Sequence, residues 1–117
     1  MLVKAYLILK VIKNKTIFIL EDNTNGGQLV SVELNSDQDI QNQITAHLKT
    51  NYNLIYDWLD IKHVSTKVFD NHLGIFYSTF VPLEFIDEKT IKYIKDYSSL
   101  SIEIGEEIQR SLRLSAY

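Results

Sequence analysis

The most informative segment of the sequence is SDQDIQNQITAHLKTNYNL, residues 36–54. Ser36 followed three residues later by Asp39 resembles a capping box, which predicts that a helix starts there. Apolar residues then recur at every fourth position and form one stripe, at Ile40, Ile44 and Leu48. Because Asn tolerates left-handed backbone geometry, we expect the helix to end near residues 51–53. The stretch therefore predicts a helix with one buried face.

Strand patterns lie on both sides of this helix. Before it, apolar residues occupy every second position of residues 3–11, a pattern typical of a half-buried strand. A turn at Asn14 and Lys15 then leads into a second strand. Further strands are predicted at residues 16–20, 28–34, within 54–69, and at 75–81, where Pro82 ends the run. This order predicts an α+β fold with helices packed on a mixed sheet.

Two more helices are expected towards the end of the chain. Residues 87–96 fit a short helix with Ile91 and Ile94 turned inward. The last segment has an amphipathic pattern, with apolar residues at Leu100, Ile104, Ile108 and Leu112. We expect this helix to dock on the sheet, although the apolar residues after Arg113 would also suit a partner contact.

Composition excludes several classes of function. The chain of 117 residues predicts a single domain over residues 1–117, and its lack of Cys excludes disulfides and thiolate metal sites. The net charge of −3 supplies no general attraction to nucleic acid or anionic membranes. The apolar start of the chain, residues 2–12, is interrupted by lysines and is too short to cross a bilayer. We expect a cytoplasmic protein, and the abundance of Ile, Asn and Lys, typical of an A+T-rich genome, suggests a viral source.

The order of the predicted strands and helices, and the amino-acid sequence of several segments, resemble the Nudix family. The segments that carry the resemblance are AYLIL at 5–9, IFIL at 17–20, HLKTNYNL at 47–54, FY at 76–77, FVPLE at 80–84 and IEIGEEI at 102–108. The resemblance implies a mixed sheet packed between helices, that is, an α/β/α sandwich.

The Nudix signature is Gly, five residues, Glu, seven residues, Arg-Glu-apolar, any residue, Glu-Glu, any residue, Gly-apolar. One register places Leu48 and Leu54 on the two apolar positions. The remaining positions hold Val32 for the first Gly, Gln38 for the first Glu, Ala46-His47 for Arg-Glu, Thr50-Asn51 for Glu-Glu and Asn53 for the second Gly. The resemblance therefore implies that the scaffold is kept while the signature carboxylates are replaced.

That replacement bears directly on the expected chemistry. Nudix enzymes hydrolyse nucleoside diphosphates linked to another moiety, and they use the helix carboxylates to hold Mg²⁺. Mg²⁺ prefers hard, usually anionic oxygen ligands, and no acidic residue occurs between Asp39 and Asp57 to restore the cluster in another register. We therefore expect no catalytic residues, no metal, no cofactor and no enzyme activity.

Four residues are the candidate ligand contacts of such a scaffold, namely His47, Tyr52, Trp58 and Tyr77. In a Nudix-like cleft a flat ring can stack on a base. The alternative role of the aromatic residues is core and edge packing. The three histidines, His47, His63 and His72, match no compact metal-binding motif.

Three functions remain open at this stage. The leading hypothesis is a non-catalytic Nudix-like module that binds a protein partner or self-associates. The second is a nucleotide sensor that binds without cleavage. The third is a hydrolase with an atypical metal site, which would need the carboxylates of Glu33, Asp37 or Asp39 near the start of the central helix.

Overall fold

The computed structural model describes residues 2–14, 16–22, 28–55, 60–86, 88 and 94–95. Its strands are β1 (Leu2–Lys13), β2 (Thr16–Leu20), β3 (Val30–Glu33), β4 (Lys62–Val68), β5 (His72–Phe80) and β6 (Ile94–Lys95). Between β3 and β4 runs the helix α1 (Ile40–Tyr52), and a 3₁₀ turn spans Leu83–Phe85. The predicted α+β class with a mixed sheet is confirmed.

β1 is the central strand of the sheet. It pairs in parallel with β5 over nine residues of each strand, from Leu2 opposite His72 to Lys10 opposite Phe80. On its other edge β1 holds two antiparallel partners in succession, because β3 pairs with residues 4–7 and β2 with residues 10–13. β4 extends the sheet beyond β5, and β6 extends it beyond β2. The predicted turn between the first two strands is confirmed, because β1 and β2 form an antiparallel hairpin and Asn14 has a positive φ of 51°.

The prediction that β1 is half-buried is wrong, because its centre is buried on both faces. Odd-numbered residues from Ala5 to Val11 pack with α1 in the main core. On the opposite face Ile8 belongs to a second cluster, with Ile19, Leu29 and Phe76. Lys10 shares that face and is only 4 % exposed. A strand paired along both edges and covered on both faces buries whatever residue occupies its centre, including a lysine.

The second face carries a group of aromatic rings around Gly74 in β5. The rings of Tyr6 and Phe76 stack with centroids 4.8 Å apart, and those of Phe69 and His72 stack at 4.5 Å. A Cβ atom at Gly74 would lie 2.7 Å from Cε2 of Phe69 and 3.0 Å from Cε2 of Tyr6. Glycine is therefore required here because the rings leave no space for a side chain.

α1 begins and ends with side-chain and backbone caps. The predicted capping residue Ser36 is wrong, because the N-cap is Asp39, whose carboxylate accepts a hydrogen bond from Gln41 N at 3.0 Å. The buried stripe consists of Ile44, Leu48 and Tyr52. Ile40, predicted as its first member, is 38 % exposed because it lies at the first helical position, beyond the main core.

The predicted helix end is confirmed at Asn53, which has φ 55° and ψ 33°. The left-handed conformation lets Asn53 N donate to Lys49 O at 3.2 Å and Leu54 N donate to Leu48 O at 3.1 Å. These bonds turn the chain sharply so that Leu54 enters the core.

We expect Asn53→Ala to lower the free energy of unfolding by about 1 kcal/mol, because a Cβ without a polar group disfavours this conformation. Asn53→Gly should equal the wild type or exceed its stability by up to about 1 kcal/mol. Urea unfolding of the three proteins measures both effects. Equal stability of the alanine and glycine variants would contradict the role assigned to the backbone.

Other expected elements fall partly or wholly outside the described residues. Within the predicted helix at 87–96, Ile94 and Lys95 instead form β6 against β2, so that prediction is wrong at these two positions. The cross-strand partner of Ile94, Leu20, was not foreseeable from local periodicity. The amphipathic segment 100–112, and with it the second helical layer of the sandwich, lies outside the described residues. In the part that is described, no helix has the length and apolar character needed to cross a membrane.

Candidate functional site

The C-terminal half of α1 and its cap carry the residues that the sequence places at the last positions of the signature. Leu48 and Leu54, at the two apolar positions, are fully buried in the main core. Asn53, at the second glycine position, adopts the left-handed conformation that a glycine would favour. In the register that the sequence suggests, the glutamate positions of this half of the signature fall on His47, Thr50 and Asn51.

The polar signature positions lie on the side of α1 that is not buried in the core. Thr50 and Asn51 are exposed, whereas His47 is half-buried. The side-chain amide Nδ2 of Asn51 lies 3.1 Å from Nδ1 of His47 and also donates to the His47 carbonyl at 3.1 Å. Because an amide N–H is a donor, Nδ1 of His47 accepts in this arrangement and the ring proton lies on Nε2.

The electrostatics of His47 favour its neutral form. Burial lowers the pKa of His47 below its ordinary value of 6.5, and the nearby carboxylate of Asp22 raises it by a smaller amount. The lowered pKa favours the uncharged imidazole. It offers hydrogen bonding and a ring surface, but it does not attract a phosphate as a cation would.

The predicted aromatic ligand residues have different surroundings. Tyr52 is 3 % exposed, and its ring centroid lies 6.1 Å from that of His47. Tyr77 is 8 % exposed, and burial raises its pKa. Its ring meets that of His63 edge-on, with the ring centroids 5.7 Å apart. Both tyrosines belong to the main core, so little of either ring is available to stack on a base. Trp58, the fourth candidate, lies outside the described residues.

The histidines are separated, and each has its own hydrogen-bond partner. His72 accepts or donates at both ring nitrogens, with Nε2 2.6 Å from the Tyr6 hydroxyl and Nδ1 2.6 Å from Asn71 Oδ1. His63 Nε2 lies 3.2 Å from the Thr66 hydroxyl. Their sequence spacing already matched no metal motif, and the fold does not bring them together.

The three carboxylates considered for an atypical metal site are also dispersed. Glu33 is at the end of β3 and Asp39 caps α1, with the exposed Asp37 in the connecting loop. Among the residues that the structure describes, no group of three or more His, Asp or Glu side chains could hold a metal ion.

Two buried or ordered polar residues escaped the sequence analysis. Lys10 lies on the second face with its Nζ 4.3 Å from the centroid of the Phe80 ring. Gln43 binds the loop that precedes α1 through three hydrogen bonds, to Asn35 N, Asn35 O and Gln38 O. No sequence signal marks either residue, because both roles depend on which segments the fold brings alongside.

Comparison with known proteins gives structural matches alone. No family model and no curated protein sequence matches the chain. The Nudix domain of Shewanella oneidensis NrtR, solved with ADP ribose, is similar with a TM-score of 0.65 and 10% identity over 97% of this chain and 88% of that one. The Ap4A hydrolase of C. elegans has a TM-score of 0.60 and 9% identity over 98% of both chains.

Two further solved structures are similar to this chain. The C-terminal domain of mouse MUTYH, solved in complex with human PCNA, has a TM-score of 0.57 and 8% identity over 97% of this chain and 88% of that one. A MutT/nudix family protein from Enterococcus faecalis matches with a TM-score of 0.54 and 7% identity over 68% of this chain, which spans only 36% of that protein. The TM-scores establish that the fold is similar. At identities this low, the similarity does not show that the proteins share an activity.

Proposed function

We propose that this chain, whose fold is Nudix-like, is a non-hydrolytic cytoplasmic module that acts by binding a protein partner or a second copy of itself. One observation carries the proposal. In the register that the resemblance implies, the positions of the metal-binding carboxylates hold His47, Thr50 and Asn51.

The residues at these positions do not fit Mg²⁺. The ion requires close octahedral coordination and is bound through carboxylates and phosphates, whereas an amide, a hydroxyl and a neutral imidazole bring no negative charge. Asn51 is in addition hydrogen-bonded to His47, so binding an ion there would first break this contact. No step of a metal-assisted hydrolysis is therefore assigned to this chain.

We expect no turnover of nucleoside diphosphate sugars, dinucleoside polyphosphates or capped RNA with Mg²⁺ or Mn²⁺. The assay measures phosphate or nucleotide release against a Nudix hydrolase with a complete signature as the positive control. Multiple-turnover cleavage by purified protein that is abolished by Glu33→Ala, Asp37→Ala or Asp39→Ala would contradict the proposal and favour the atypical hydrolase.

A nucleotide sensor is the second candidate function. The adjoining rings of His47 and Tyr52, and the similarity to a Nudix domain solved with ADP ribose, favour it. The burial of Tyr52 and the neutral state of His47 count against it. A ligand that binds only the folded protein raises its Tm, so a nucleotide-dependent Tm increase that His47→Ala removes would support the sensor.

Protein binding has its own direct test. Light scattering across a concentration series measures self-association, and affinity purification from the host with the intact chain identifies a retained partner. The structural similarity to a domain solved in complex with PCNA shows that such a fold is compatible with partner binding. A monomer that retains no partner in both experiments would overturn the proposal.

A further inference from the structure

An open groove lies where the start of β1 meets the loop before α1. It has a volume of about 370 Å³, within the range of ligand-binding clefts, and its lining includes Leu2, Leu34, Asn35, Gln38 and Ile40. The groove is at the opposite end of α1 from His47 and Asn51, so it is separate from the site described above.

The floor of the groove is apolar and accessible. Leu2 is 37 % exposed and Ile40 is 38 % exposed, while Leu34 is half-buried against the main core. Ile40 continues the stripe of α1 beyond the point where the sheet covers it. A large apolar side chain from a partner would bury these surfaces.

The wall of the groove is held in place by hydrogen bonds. The Gln43 side chain accepts from Asn35 N at 2.7 Å and donates to Asn35 O at 2.9 Å and to Gln38 O at 3.1 Å. Leu34 N donates to Val3 O at 2.8 Å, which ties the same loop to β1. Because the wall is already ordered, a ligand loses little affinity to the cost of ordering it.

Three acidic residues and one basic residue are neighbours in sequence of the residues that line the groove, namely Glu33, Asp37, Asp39 and Lys4. Two of these, Asp37 and Asp39, are exposed and flank the groove residue Gln38 in the sequence. The lining itself is uncharged, and the surplus of acidic neighbours beside the apolar floor disfavours phosphates and acidic peptides and favours cations.

We propose that this groove is the docking site for a partner peptide that inserts an apolar side chain flanked by Arg or Lys. The inference rests on the proposed protein-binding function and names its surface and the chemistry of its partner. The apolar side chain contacts Leu2, Leu34 and Ile40. The flanking cations lie against the carboxylates of Asp37 and Asp39.

The test is an array of synthetic nonapeptides with Leu, Ile or Phe at the centre and Arg, Ser or Glu on both sides, probed with the full chain. We expect at least tenfold more binding to Arg-flanked peptides than to Glu-flanked ones. Ile40→Ser should reduce this binding at least tenfold, and Asp37→Asn about threefold. Binding to the Arg-flanked peptides should fall as salt is added.

The matched control is Ile55→Ser, which removes another isoleucine that is even more exposed but lies beyond the far end of α1. It should leave peptide binding unchanged. Amide chemical shifts recorded during titration with the strongest Arg-flanked peptide should change at residues 2–4 and 34–40. Circular dichroism confirms that each variant is folded.

Several results would overturn the inference. The first two are equal binding of Arg-flanked and Glu-flanked peptides, and peptide binding that Ile40→Ser leaves intact. The others are amide chemical-shift changes at residues outside the groove, and self-association in which a second copy of the chain occupies the groove. A partner that is retained by wild type and by Ile40→Ser alike would refute the groove and leave the protein-binding function standing. Metal-dependent turnover would refute that function itself.

Discussion

Lys10→Met is expected to raise the free energy of unfolding by about 1–2 kcal/mol at pH 7, a large gain for one substitution. Burial lowers the pKa of Lys10 from 10.5 to about 8, which means that the folded protein disfavours the ammonium it contains. Methionine has a similar length and needs no hydration. The gain is smaller than the full burial penalty because the substitution also removes the contact with the Phe80 ring.

The pH dependence of stability follows from the same pKa. Between about pH 8 and pH 10.5 the unfolded chain keeps the Lys10 proton while the folded chain releases it, so wild-type stability rises with pH in this window. The complete shift corresponds to at most about 3–4 kcal/mol. Lys10→Met should show a flatter profile. Measurements should stop below pH 10, because the raised pKa of Tyr77 gives the opposite slope above that point.

Lys4→Met is the matched control for this experiment. It makes the same change on the same strand and the same face, where the side chain is only half-buried. Its stability at pH 7 should stay within about 0.5 kcal/mol of wild type. Chemical unfolding at pH 7, 8 and 9.5 measures all three proteins. A pH profile of Lys10→Met parallel to that of wild type would refute the assignment of the slope to Lys10.

Gly74→Ala is expected to lower the free energy of unfolding by about 2–3 kcal/mol. The added methyl group would lie 2.7 Å from the Phe69 ring and 3.0 Å from the Tyr6 ring, and these rings are fixed by their stacking on His72 and Phe76. Neither ring can move without giving up those contacts, so the cost is that of overpacking a core.

A second substitution separates crowding from other effects of alanine. Phe69→Leu removes the ring atom nearest to the added methyl group. The double variant Gly74→Ala/Phe69→Leu should therefore be more stable than the sum of the two single changes predicts, by about 1 kcal/mol. Simple additivity in urea unfolding would show that Phe69 is not the obstacle.

Local patterns predicted much of this fold. The hairpin of β1 and β2 follows from two strand patterns around Asn14, and the end of α1 follows from the tolerance of Asn53 for positive φ. The burial of Leu48 and Leu54 also follows from local information, because the helix end between them turns Leu54 back towards the core. These features depend on residues close together in the sequence.

The features that escaped prediction depend on distant segments. The burial of Lys10 was not predicted, because alternation alone cannot show that a strand is covered on both sides. Tyr6 and His72 form a hydrogen bond between residues 66 positions apart, which no local pattern reveals. The burial of Tyr52 at the candidate site and the hydrogen bonds of Gln43 to the loop before α1 likewise depend on three-dimensional contacts.

The parallel pairing of β1 with β5 has a consequence for how the protein is made. During synthesis the first strand emerges early, and its antiparallel neighbours β2 and β3 follow soon after, but the partner for its other edge leaves the ribosome about seventy residues later. Until then the nascent chain carries an apolar strand with one open edge, a template for wrong pairing between chains. Closing so long a loop is slow, so yield of native protein should depend on translation rate and on chaperones that cover this edge.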